Sequence, residues 1–172
     1  LFDQCDVDDA ATPAAEISTL AASLGVEFPE DVTEVPLQFE QTWRDLFETA
    51  IPLAQSGNAQ GLEEAADTDR AVAPGAGNGA GSSATVYRLR EGIERFLITD
   101  VNNPGASAVA QSGIFIMLDN LSTEVARFNH VPGGSNVLFM DGHVEFVRYP
   151  GPAPVNRPVA AVVHLFDVRP SL

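Results

Sequence analysis

The dipeptide Asp141-Gly142 sits between two alternating apolar runs, Val137-Leu-Phe-Met140 and His143-Val-Glu-Phe-Val-Arg148. An Asp-Gly pair between such runs favours a tight β-hairpin, because glycine and aspartate tolerate the left-handed backbone of a two-residue type I′ turn. That turn would set Phe139 opposite Val144 and Val137 opposite Phe146. The four side chains then share one face, which the alternation predicts to be buried. Leu138, Met140, His143 and Glu145 fall on the other face.

Around this hairpin the pattern predicts helices first and antiparallel strands after. Residues 1–12 carry four Asp and no apolar period, and read as a frayed lead-in. Pro13 suits the first position of a short helix to about Leu24, with Thr12 as cap and Gly25 as stop. Leu37, Phe39, Trp43, Leu46, Phe47 and Ala50 recur at helical spacing and predict a helix over 36–55, kinked or ended by Pro52. Residues 56–83, rich in Gly, Ala and acid, read as a long flexible loop. Val86, Leu89, Ile93 and Phe96 or Leu97 predict an amphipathic helix over 84–96. A turn follows at 100–105, then a strand over 112–118 that ends at Asp119-Asn120. After a Pro/Gly corner at 150–158, the apolar run 159–168 predicts another strand. The whole predicts one α+β domain over 1–172, with N-terminal helices packed on an antiparallel sheet that includes the hairpin. Its best specified part is 84–172.

Charge narrows the function classes. The chain has 24 acidic residues against nine basic ones, all Arg, for a net charge of −15. Most of the imbalance lies in residues 1–70, with a net −14, against −1 for 71–172. Such a surface repels phosphate backbones, so nucleic acid is not an expected partner. It either attracts cations and basic partners or serves solubility. No apolar run reaches the roughly 20 residues needed to span a bilayer. The single Cys5 excludes an internal disulfide, and neither a P-loop nor a dinucleotide-binding glycine pattern is present.

The segment Phe128-Asn-His130-Val-Pro-Gly-Gly-Ser-Asn136-Val-Leu-Phe-Met-Asp141-Gly142-His143-Val-Glu-Phe146 resembles the C-terminal motif of prepilin-type proteins abundant in planctomycetes, the H-X9-DG domain. The run from Tyr87 to Pro104 is similar to sequence from the same group, so the resemblance covers roughly 86–151. Ten residues rather than nine separate His130 from Asp141, with Val131-Pro132 lengthening the first loop. The resemblance implies a pilin-like fold and a hydrophobic N-terminal stem that these 172 residues do not contain. It further implies membrane contact only through that stem and a periplasmic or extracellular location. The expected role is then non-enzymatic: a structural or interaction subunit of a pilus-like or type II secretion-associated assembly. Its partners would be other pilin-like subunits or secretion-system proteins. The alternative is a calcium-stabilised surface domain for ligand binding or adhesion.

Within the motif, His130, Gly133, Gly134, Asn136, Asp141 and Gly142 read as architecture. The glycines permit unusual backbone angles, Asn136 bonds turn backbone, and His130 braces its loop against a carbonyl or Asp141. Asp100, Asn102 and Asn103, and Asp119 with Asn120, are oxygen-rich candidates for calcium, without EF-hand spacing. A His130/His143 metal pair is disfavoured, because a five-residue strand separates the two by about 16 Å. Ser112 or Ser135 with His130 and Asp141 can be drawn as a hydrolase triad, yet no G-x-S-x-G elbow accompanies it. His164, inside an apolar run, reads as a satisfied core or edge histidine rather than a ligand, and the Glu63-Glu64 pair lies in a stretch expected to be too mobile for acid–base work.

Overall fold

The computed structural model describes residues 4–6, 8–78, 83–93, 97, 111–124, 127–130 and 133–166. The fold is α+β, and the strand pairs among the described residues are all antiparallel. β1 (Ala11–Pro13) pairs with β2 (Glu34–Pro36), and between them runs α1 (Ala15–Ser23). α1 ends where the Gly25 and Val26 amides reach back to the carbonyls of Ala22 and Ala21, the paired bonds of a Schellman cap. Its start differs from expectation. Thr12 and Pro13 belong to the β1 ribbon, and Ala14 occupies the cap position without a side-chain bond. The lead-in is therefore not frayed over its described residues: Ala10 accepts from the Leu37 amide, Cys5 is buried, and the Cys5 carbonyl accepts from the Asn156 amide group at 2.7 Å. Short backbone pairing, invisible to an apolar period, holds this segment in place.

α2 (Leu37–Gln55) matches its predicted span, and Pro52 sits inside its last turn. Phe39 is buried, with Trp43 edge-on to it at 5.9 Å and Phe47 beyond. The described residues of 56–83 contradict the loop reading over 59–71. Asn58 caps α3 (Ala59–Ala66) by accepting from the Gly61 amide at 2.9 Å. β3 (Arg70–Ala71) then pairs with β4 (Thr85–Val86). Arg70 is buried against Asp45 and the Ala65 carbonyl, and Arg88 reaches Asp67, so guanidinium groups replace the missing large apolar residues as anchors. The predicted helix over 84–96 is also absent from its described residues, which form β4 and a turn at 91–93. Val86 is buried through strand pairing, and Leu89, expected on an apolar stripe, is exposed. The expected turn at 100–105 lies outside the described residues.

The main sheet is three-stranded, in the order β5 (Phe115–Leu118), β6 (Gly134–Phe139), β7 (Val144–Arg148). The hairpin between β6 and β7 exists, but its loop has three residues, not two. Leu138 faces Val144, Val137 faces Glu145, and Asn136 faces Phe146. The Gly142 amide donates to the Phe139 carbonyl, Phe139 donates to the His143 carbonyl, and Gly142 has φ +89°. This is a four-residue turn closed by a left-handed glycine, the three-residue loop with a bulge. One added loop residue turns every side chain of β7 over. Val147 is buried, whereas Val144 and Phe146, predicted to be inside, are 61% and 47% exposed. Val137 is fully buried and Phe139 half-buried, so β6 keeps its predicted face.

Over its described residues, 159–166, the run is not a strand. Asn156 Oδ1 accepts from the Val159 amide and opens α4 (Arg157–Val163), followed by a short 3-10 turn at His164–Phe166. α4 buries Val159, Ala160, Ala161 and Val162, so it is covered on several sides and shows no amphipathic period. These residues join Ile17, Ala21, Val35, Phe39, Phe115, Leu121, Val137 and Val147 in one core. Arg157 clamps the start of α4 to Asp31 through both carboxylate oxygens, at 2.5 and 2.7 Å. Among the described residues no helix is long and apolar enough to cross a membrane.

The flipped face gives a direct prediction. Val147→Ala should lower unfolding stability by about 1.5–3 kcal/mol, and Val144→Glu by no more than about 0.5 kcal/mol, in urea denaturation. Glu40 gives a second. Its carboxylate is buried beside Arg44, and burial pushes its pKa up. A raised folded pKa means that folding favours the protonated acid, so stability falls as pH rises from the ordinary glutamate value through the raised one. Glu40→Gln should raise Tm at pH 7 and flatten this slope, because Arg44 keeps Glu16 at 2.7 Å.

Candidate functional site

The motif residues separate to the two ends of β6. At the far end, beside the hairpin loop, Asp141 Oδ1 accepts from the His143 amide and lies 2.5 Å from His143 Nδ1. The His143 amide is the main reason that the Asp141 carboxyl sits below its usual range. The His143 ring stacks on Phe139 at 4.4 Å. This is a self-contained turn, and Asp141 is not the brace for His130.

That brace is Asp119, directly after β5. His130 Nε2 is 2.9 Å from Asp119 Oδ2. The same carboxylate oxygen accepts from the Asn136 side-chain amide at 2.8 Å and from the Asn136 backbone N–H at 3.2 Å. Asn136 Nδ2 also lies 2.9 Å from His130 Nε2. One carboxylate thus ties the end of β5 to the start of β6 and to the loop before it. The Asn136 backbone N–H, then its side chain and His130, hold the Asp119 carboxyl below its usual range. His130 is 45% exposed and Asp119 31%, so the cluster is open to solvent.

Gly134 explains why the loop fits. It has φ +154°, and a β-carbon there would meet the Phe146 ring at 2.4 Å and the Val147 carbonyl at 2.8 Å. The Phe146 ring therefore lies over bare backbone, and His130 meets it edge-on at 5.7 Å. Ser135 is buried and donates to the carbonyls of Asp119 and Asn136. The drawn triad of Ser135, His130 and Asp141 is not assembled.

Of the calcium candidates, Asp100, Asn102 and Asn103 lie outside the described residues. The Asn120 side-chain amide donates to the Arg127 carbonyl at 2.9 Å. Among the described residues no three His, Cys, Asp or Glu side chains are grouped to hold a metal. His164 is buried, with Nδ1 3.1 Å from the Ser122 hydroxyl, a core histidine with a partner. Ser122 has no exposed surface, and its hydroxyl also accepts from the Glu124 amide.

Sequence reasoning missed the opposite face of the sheet. Met117, Leu138 and Val144 form one row across the three strands, and Phe146 extends it along β7. Met117 is 64% exposed. A bulge between Phe115 and Met117 lets Phe115 turn inward while Met117 turns out. The exposed run Val144-Glu-Phe146 lies on β7, an edge strand among the described residues. No protein-family model matches the chain, and no curated protein or solved structure matches it in the corresponding searches.

Asp119→Asn supplies the test of the tie. A carboxyl whose folded pKa is depressed adds stability above its unfolded value near 4, lost as pH falls through the lower folded value. In EDTA, the substitution should cost on the order of 1 kcal/mol at pH 7, and the gap from wild type should close below about pH 4.

Proposed function

We propose that this chain is a non-enzymatic interaction subunit of a pilus-like or type II secretion-associated envelope assembly. The observation that carries this reading is the outward apolar row Met117, Leu138, Val144 and Phe146. Soluble surfaces scatter single apolar residues, but a contiguous patch on a sheet marks a contact surface. The row lies inside the segment that resembles prepilin-type proteins, and its edge strand β7 leaves backbone groups on its outer side for a neighbour. The motif's polar residues then act as scaffolding: Asp119, His130 and Asn136 fix one end of β6, and Asp141 with Gly142 fixes the other. Membrane attachment is assigned to an N-terminal hydrophobic stem, and the working location to the outer side of the cytoplasmic membrane. The partner that seats on the row is a second pilin-like subunit.

A photo-crosslinking amino acid at Met117 or Val144, in the full-length protein in its own envelope, should give adducts with a pilin-like subunit. The same probe at Glu63 on α3 should give none. Adducts from Glu63 alone, or none from Met117 and Val144, would remove the assignment.

A further inference from the structure

Asp119 Oδ2, His130 Nε2 and Asn136 Nδ2 form a triangle with sides of 2.9, 2.8 and 2.9 Å. Hydrogen bonds alone cannot join all three sides at once. If His130 carries its proton on Nε2 and donates to Asp119, that nitrogen has no lone pair for the Asn136 amide. If the proton is on Nδ1, the bare Nε2 faces the carboxylate oxygen lone pair against lone pair. The two N–H bonds of the Asn136 amide diverge by about 120°, whereas its two neighbours subtend about half that angle. One side of the triangle is therefore a close contact without a hydrogen bond in either tautomer.

A cation removes the conflict. An amide's oxygen and nitrogen are interchangeable by rotation, so Asn136 can offer Oδ1 in place of Nδ2. Imidazole, carboxylate and amide then each offer a lone pair on atoms no more than 2.9 Å apart. Donors about 2.0–2.1 Å from an octahedral ion lie about 2.9 Å apart when cis. We propose that Asp119, His130 and Asn136 form a facial three-donor site for a six-coordinate divalent first-row transition-metal ion, with zinc as the first probe. The donors come from the end of β5, the loop before β6 and β6 itself, so binding pins that loop to the sheet. The outward side of the triangle, open at His130, leaves positions for water or for a donor from a partner. An imidazole donor favours a first-row transition ion over calcium, which takes oxygen ligands. The site is independent of the subunit reading, because none of its donors belongs to the apolar row.

Calorimetric titration of EDTA-stripped protein with ZnCl2 should show one saturable site. His130→Ala should weaken it by more than about tenfold, and His143→Ala should leave it unchanged. Asn136→Asp should tighten it, since a charged oxygen replaces a neutral one; a purely hydrogen-bonding Asn136 would give no gain. Mn2+ added to the wild-type chain should broaden the amide resonances of Asp119, His130 and Asn136 first, a readout that needs no variant. Absence of saturable zinc binding, undiminished binding by a folded His130→Ala, or broadening centred on Asp141 or Glu63 would overturn the proposal. So would saturation by Ca2+ without any by Zn2+.

Discussion

The register of the β6–β7 hairpin governs the arrangement of the sheet. Gly142, at φ +89°, closes a loop in which the Phe139 carbonyl accepts from the Gly142 amide and the Phe139 amide donates to the His143 carbonyl. With that loop, Val147 turns into the core while Val144 and Phe146 turn out. A two-residue loop would bury Val144 and Phe146 and push Val147 into water. Whether the sheet has an apolar outer face thus depends on one residue of loop length.

The opposite end of β6 is held by charge rather than by turn geometry. Asp119 accepts from the backbone and side chain of Asn136 and pairs with His130, so three chain segments meet on one carboxylate oxygen. Gly134 lets the Phe146 ring rest on backbone beside His130. The polar cluster and the outer apolar row are therefore neighbours that meet at Phe146. A subunit seated on the row would cover the approach to His130, and an ion bound there would stiffen the loop next to the contact.

The legible parts of the sequence are those with strong periodicity or punctuation. Phe39, Trp43, Leu46 and Phe47 place α2 to within a residue, and Gly25 stops α1 as expected. The hairpin strands were legible, but Asp-Gly alone does not distinguish a two-residue loop from a three-residue loop. Residues 56–83 hid α3 and β3 because their anchors are Asn58, Arg70 and Arg88, which do not register as apolar. Thr85-Val86 was read as helix because Leu89 and Ile93 follow at helical spacing, whereas β4 needs only Arg70-Ala71 beside it. The run 159–163 is ambiguous by period, and Asn156 with Pro158 carried the helix signal. Asp119, His130 and Asn136 were each named, but for separate roles; their convergence depends on the β5–β6 pairing, which local sequence does not encode.

The hairpin register admits a direct measurement. Facing residues of a non-hydrogen-bonded antiparallel pair bring their α-carbons to about 4.5 Å, close enough for a strong Hα–Hα nuclear Overhauser effect. The structure requires such effects between Leu138 and Val144 and between Asn136 and Phe146. Effects between Phe139 and Val144 and between Val137 and Phe146 instead would place Val144 and Phe146 in the core and contradict the outer face.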